Sequence, residues 1–244
     1  MQQNKFTELS ADSKRRYSRN IMLEEIGKEG QLKLLNSKVL VVGSGALGSI
    51  AALYLSGSGI GTIGIADFDT VDISNLQRQV AFTESDTGKK KVLTTAERMR
   101  KMNSDIDVIA IDAFLTPKNI SSIINDYDLV IEGSDNPSTK YMVADECERQ
   151  GKRYCLAGVS QFSGQVMSWQ PGETGYRQLF PEAAEEGDYL PCSIGGVCGP
   201  LTGIVGSTQA VEAIKMLLNI GSPLYSRLLM IDALTMNYRI INLK

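Results

Sequence analysis

An α/β fold is predicted, a doubly wound, mostly parallel sheet with helices on both faces and a C-terminal antiparallel extension. Three features of the chain carry this reading. Strand-like and helix-like stretches alternate from residue 38 to residue 150, as parallel strands joined by crossover helices require. The first of these units holds Gly43, Gly45 and Gly48 in a G-x-G-x-x-G turn. From Gly151 the texture changes to β-rich runs and one long apolar helix, which supply the extension.

Taken in order, Asp12 to Asn36 alternates charged and apolar residues with helical spacing, and Gly27 and Gly30 are expected to break it into two short helices. It contains RRYSRN, Arg15 to Asn20, a dense run of cations that by itself reads as a solvated helix face. Lys38–Val42 is a β-branched apolar run of strand length. The glycine turn follows and opens a helix of small and apolar residues, and a second β-rich run ends near Asp67, 19 residues after Gly48. In such a unit the first glycine permits the tight turn, the second admits a phosphate against bare backbone, and the third lets helix and strand pack closely. The helix then points free N–H groups at an anion, so this Rossmann-like unit reads as a nucleotide site.

Asp69 to Gln79 is a polar loop. Gly88 to Met102 reads as an amphipathic helix with the basic start GKKK. That start opposes the helix dipole, so a compensating anion is expected near Lys89, Lys90 or Lys91. Strands at Asp107–Ala113 and Asp128–Glu132 flank a helix at Pro117–Asp126, and GSDN, Gly133 to Asn136, opens a helix reaching Gln150. Arg153–Ala157 and Gln165–Gln170 read as strands, and Pro171 to Pro191 as a long exposed loop rich in Gly, Glu and Pro. Leu201 to Leu218 returns to helix with Gly221 as its stop, and Leu228–Ala233 with Asn237–Asn242 form a closing hairpin. Gly43, Asp67 and Asp135 all fall at carboxyl ends of strands, where doubly wound sheets bind their ligands.

Composition narrows the chemistry. The 244 residues carry a net charge of −3, so no global basic field draws in nucleic acid or an anionic membrane. The first residues lack the apolar core of a signal peptide, and no run approaches the ~18 apolar residues of a membrane helix. A cytoplasmic protein is the expectation. The four cysteines, Cys147, Cys155, Cys192 and Cys198, form no C-x-x-C pair, which argues against a disulfide scaffold. Histidine is absent, which removes His triads, His bases and His zinc ligands together.

Asp67, Asp69, Asn75, Arg78, Lys91, Asp135 and Asn136 make a set for polyphosphate. Arg and Lys with a carboxylate able to hold Mg²⁺ suit triphosphate chemistry, because Mg²⁺ prefers one or two carboxylates plus phosphate oxygens. RYSRNIMLEEIG, VLVVGSGALGS, ADFDTVDISNLQRQ, TGKKKV, EGSDN and GPLTGIVGSTQAVEAIKML run in the order and spacing of one family. Over about residues 12 to 243 the chain resembles the ThiF/MoeB/HesA adenylyltransferases, bacterial relatives of ubiquitin-activating enzymes, and is most like ThiF.

The resemblance implies a single adenylating domain over 1–244: N-terminal helices at 1–36, a nucleotide-binding half at 37–150 and a carrier-binding, crossover-loop half at 151–244. It implies ATP-dependent adenylation of the C-terminal glycine of a ubiquitin-like sulfur carrier, ThiS in thiamine synthesis or MoaD in molybdopterin synthesis, with release of pyrophosphate. Asp67 would hold the ribose. Gly43, Gly45, Ala46, Gly48, Asp69, Ser74, Leu76, Gln77 and Asn136 would join it around ATP, with Asn75, Arg78 and Lys91 on the phosphates. Asp135 would hold magnesium, and Arg19 would enter the neighbouring protomer's site, making a homodimer. Cys192 aligns with a crossover-loop cysteine that can form a covalent sulfur link to the carrier, which brings in a sulfur donor protein; the other three cysteines read as structural.

One departure from the family concerns zinc. Where members carry the first of two C-x-x-C pairs this chain has Gly175-Tyr-Arg-Gln178, and the second pair is missing, so no zinc site is expected. MoeB-type activation of MoaD, or of a siderophore or tRNA-thiolation carrier, is the nearest alternative. A catalytically silent nucleotide-binding interaction protein and a nicotinamide-dependent oxidoreductase are the readings from other classes.

Overall fold

The computed structural model describes residues 5–181 and 195–243. Its centre is one eight-stranded sheet. Strands β1 (Lys38–Val42), β2 (Thr62–Asp67), β3 (Asp107–Asp112), β4 (Leu129–Glu132) and β5 (Arg153–Ser160) are joined to β6 (Ser163–Trp169), β7 (Arg227–Asp232) and β8 (Asn237–Asn242) in the order β3-β2-β1-β4-β5-β6-β7-β8. The first five run parallel and the last three pair antiparallel, so the predicted extension is present. Strand order reverses at β1: Val42 pairs with Ala66 on one side and Glu132 on the other. A doubly wound sheet opens its crevice at this point.

Alternation along each strand sorts the core into two layers. Val39, Val41, Ile63, Ile65, Leu129 and Ile131 face α4 (Gly48–Ser58), α5 (Lys91–Met102) and a long helix at Gly199–Leu218. Leu40, Val42, Val130, Tyr154 and Leu156 face α6 (Ile120–Asn125), α7 (Pro137–Gln150) and α8 (Tyr176–Leu179). The long helix is α9, and its Leu201, Val205, Ala213 and Met216 are fully buried on the first layer. Each such Leu, Val or Met contributes about 1.5–3 kcal/mol by leaving water, and this burial holds the strand ends in register.

Several boundaries differ from the sequence reading for identifiable reasons. The N-terminal stretch makes three helices, α1 (Ala11–Arg16), α2 (Ser18–Ile21) and α3 (Gly27–Leu35). Gly30 lies inside α3 rather than breaking it, because it faces the Leu218 side chain on α9. β5 runs on to Ser160 because Gly158, Val159 and Ser160 pair with Gln165, Gly164 and Ser163 in a tight hairpin. Within the stretch read as loop, residues 176–179 form α8. Asn219, with φ 59°, takes the left-handed position that ends α9, ahead of Gly221. Among the described residues, no helix is long and apolar enough to cross a membrane.

Candidate functional site

A cleft of about 190 Å³ opens at the carboxyl ends of β1, β2 and β4. Its floor is the glycine turn. Gly43 has φ +90°, and a Cβ there would lie 3.1 Å from the Gly133 carbonyl carbon. A Cβ on Gly48 would lie 1.9 Å from the Gly43 oxygen. These two glycines therefore let α4, the turn and the end of β4 meet. Gly45 differs: its nearest neighbour would be Gln79 Nε2 at 3.6 Å, and it lines the cleft as bare backbone. Ala46 lines it too. Gly48 is buried behind the wall.

Asp67, the last residue of β2, is clamped at both carboxylate oxygens. Oδ2 accepts from the Ser44 N–H at 2.6 Å and Oδ1 from the Asp69 N–H at 2.8 Å. Burial pushes its pKa up, and these two N–H groups with Lys91 work against the shift. Each oxygen keeps a lone pair for a hydroxyl. Asp69, half exposed, ion-pairs with Lys91 at 3.1 Å, and Lys91 is buried against the cleft wall.

The anions that answer the basic helix start are the protein's own carboxylates. Lys89 meets Asp86 at 3.1 Å, Lys90 meets Asp112 at 3.0 Å, and Lys91 meets Asp69. Lys91 alone of the three lysines faces the cleft.

The end of β4 brings a charge pair that the sequence reading passed over. Glu132 is fully buried, and its Oε2 accepts from Lys140 Nζ at 2.5 Å. Its Oε1 accepts from the backbone N–H and the hydroxyl of Ser134. Burial raises the Glu132 pKa, and Lys140 and Ser134 oppose the rise. Asp135 and Asn136 follow on the cleft rim. Asn136 caps α7, its Oδ1 accepting from the Ser138 N–H at 2.9 Å.

Arg78 lines the cleft from the opposite side, its Nη1 donating to the Ser74 oxygen at 3.0 Å, while the Thr202 hydroxyl of α9 donates to the Arg78 oxygen at 3.3 Å. Ser74, Asn75, Leu76 and Gln77 are not part of the cleft wall. Ser74 and Asn75 complete a turn with Asp72, and Gln77 packs its carbonyl against Gly199. Arg19 is exposed on α2 and does not line the cleft of its own chain; its Nη1 is 3.6 Å from Met22 Sδ.

Cys147 and Cys155 are buried, and burial pushes both thiols up. Cys198 is half-buried at the start of α9, and Cys192 lies outside the described residues. Gly175 to Gln178 is tied down by hydrogen bonds: the Tyr176 N–H donates to the Tyr154 hydroxyl at 2.9 Å, and Arg177 pairs with Asp145 at 2.6 Å.

Besides Lys140, the wall includes Gln79, Phe68 and Phe114, none of which the sequence reading singled out; Glu132 lies fully buried behind it. Glu132 did carry a signal, an acid closing an otherwise apolar strand. The two rings meet edge to face at 4.8 Å beside Asp67. Nothing in their spacing marks them, since they are joined only by the pairing of β2 with β3.

Known proteins resemble this chain in sequence and in fold. The chain is 40% identical over 241 residues to a probable adenylyltransferase/sulfurtransferase MoeZ of Mycobacterium tuberculosis, covering 97% of this chain and 62% of MoeZ. It is 40% identical over 233 residues to the SAMP-activating enzyme E1 of Haloferax volcanii, covering 96% of this chain and 86% of that enzyme. It thus spans somewhat under two thirds of MoeZ and most of the second relative. Crystal structures of E. coli MccB superpose with a TM-score of 0.78 in the form with ATP, at 25% identity over 98% of this chain and 72% of MccB. The form with AMPCPP and MccA superposes with a TM-score of 0.79, at 26% identity over 93% of this chain and 71% of MccB. The model of the ThiF family matches residues 17–244, and the chain belongs to that family.

Proposed function

We propose that this chain is an adenylyltransferase that uses ATP to activate the C-terminal carboxylate of a small ubiquitin-like sulfur carrier ending in Gly-Gly. The observation that carries the reading is the convergence on one cleft of a bare-backbone glycine turn, a clamped acid at Asp67, the cations Arg78 and Lys91, and Asp135. The names of the relatives support it: MoeZ is named a probable adenylyltransferase/sulfurtransferase, and the Haloferax protein a SAMP-activating enzyme E1. MccB, a weaker relative, was crystallised with ATP and with AMPCPP and MccA.

In this reading Asp67 accepts from the ribose hydroxyls and the turn's N–H groups receive the phosphates over Gly45 and Ala46. Arg78 and Lys91 spread the phosphate charge, Asp69 holding Lys91 in place until the nucleotide competes for it. Asn75 adds a donor as the nucleotide enters. A carboxylate oxygen of the carrier attacks the α-phosphorus in line. The bond from that phosphorus to the bridging oxygen breaks, and the electron pair leaves with pyrophosphate. Positioning and charge neutralisation supply most of the rate.

Among the described residues no three acidic or sulfur ligands converge. A single carboxylate, Asp135, on the rim suits magnesium, which takes one or two protein carboxylates and completes its shell with phosphate oxygens and water. Magnesium bound there would neutralise the leaving pyrophosphate. Arg19, exposed and not part of the wall of its own cleft, serves the cleft of a second protomer, so that the active form is a homodimer. Cys192 is the thiol that would carry sulfur to the carrier.

ThiS is the first carrier in this reading, and a MoaD-like carrier is the alternative. ATP–pyrophosphate exchange run separately with each carrier distinguishes them. Exchange with one of them and not the other assigns the carrier, and tight NADH binding without ATP binding would refute the whole reading.

A further inference from the structure

We infer that Lys140 is a positioning residue that sets the Ser134–Asp135 peptide and thereby the place of the Asp135 carboxylate. The inference rests on the functional reading above.

Lys140 lies one turn into α7 and lines the cleft, yet it is only 8% exposed. An ammonium group has three N–H donors. Here all three are used: on Glu132 Oε2 at 2.5 Å, on the Ser134 oxygen at 2.7 Å, and on the Ala157 oxygen at 2.7 Å. None is left for a phosphate. Among the described residues Lys91 has one ion pair, to Asp69, which leaves donors for a ligand. The two lysines of the cleft therefore have different duties.

The three acceptors belong to the end of β4, the turn after it, and β5. Lys140 and Glu132 together grip Ser134 from both sides, since Glu132 accepts the Ser134 N–H and Lys140 donates to the Ser134 oxygen. Asn136 is fixed in turn as the cap of α7. Asp135 is thus carried between two pinned residues. Stability alone does not account for the pair, because a buried ion pair is often no more stabilising than apolar residues of the same volume.

The test uses the full-length protein and separates metal binding from nucleotide binding. Lys140→Met alone would strand a buried carboxylate, so the working variant is Glu132→Gln with Lys140→Met. Glu132→Gln with Lys140→Gln, uncharged but polar, takes its place if the first does not fold. Calorimetry measures ATP binding at increasing Mg²⁺ and in EDTA, and hydrogen exchange follows the amides of residues 134–136. The paired variant is expected to need about ten-fold more Mg²⁺ for half-maximal binding, the loss usual when a supporting partner of a metal ligand is removed. Its affinity for ATP in EDTA stays at the wild-type value, and its 134–136 amides exchange faster. Wild-type Mg²⁺ dependence and exchange in the paired variant would overturn the inference alone. Wild-type protein that binds no ATP under either condition would overturn the functional reading and this inference with it.

Discussion

Gly45 and Gly48 stand three residues apart in the same turn, and adding one methyl to each should fail in opposite ways. In Gly48→Ala the new Cβ would sit 1.9 Å from the Gly43 oxygen, while ordinary contact begins near 3.4 Å. Backbone must then move by about 1.5 Å, since the Gly43 carbonyl is no flexible side-chain tip. Overpacking of that kind costs about 2–3 kcal/mol, or roughly 5–10 °C of melting temperature in a chain of this size. The displaced turn also leaves the phosphate path, and a misplacement of about 1 Å at a reacting site can cost ~100-fold in rate. Gly45→Ala meets only Gln79 Nε2, at 3.6 Å, so its fold should melt like wild type. Its methyl instead occupies the wall where the nucleotide would approach, and ATP affinity is expected to fall by at least ten-fold, about 1.4 kcal/mol. Thermal melts and ATP calorimetry on both variants check this. Wild-type affinity in a folded Gly45→Ala protein would refute the assignment of that wall to phosphate.

Arg78→Ala should nearly abolish pyrophosphate exchange while melting within a few degrees of wild type, and wild-type turnover would remove Arg78 from the site. Arg19→Ala and Asp135→Ala homodimers should both be inactive. Mixed dimers of the two should regain one working cleft, and failure of any mixture to recover would count against a shared site. Asp86 provides a pH test. Burial alone would raise its pKa, but bonds from Thr83, Arg98 and Lys89 outweigh that and hold it well below 3.8. A depressed acid contributes stability that is present above its unfolded pKa and lost as pH falls toward the folded one. Asp86→Asn should therefore cost about 1–3 kcal/mol at pH 7, with the gap to wild type closing below pH 3.8 in denaturant melts.

Local chemistry made much of this molecule legible. Lys38–Val42 was readable as a strand from its β-branched run, and Asp67 marks the true end of β2. The hairpin of β7 and β8 lies within one residue of its expected limits. These are features that neighbours in the chain decide. Where contacts between distant segments decide, the reading failed. The expected strand stopped at Ala157, but the pairing of Gly158 with Gln165 carries β5 onward. Gly30 looked like a helix breaker, but Leu218 of α9 fills the space beside it. The basic start of α5 called for compensating anions, and these are present, but only the fold shows that they are the distant carboxylates Asp112 and Asp69 together with nearby Asp86. Lys140 was invisible for a similar reason. Its partners are brought to it by the parallel pairing of β4 and β5, and no spacing records that.

The most direct test of the account is ATP–pyrophosphate exchange by the purified chain with a sulfur carrier ending in Gly-Gly, alongside the same carrier lacking its last glycine. Exchange with the intact carrier, none with the shortened one, and none with Asp135→Ala enzyme is the predicted result. No exchange with either a ThiS-like or a MoaD-like carrier, from protein that binds ATP, would contradict the account and leave a nucleotide-binding module without the proposed activity.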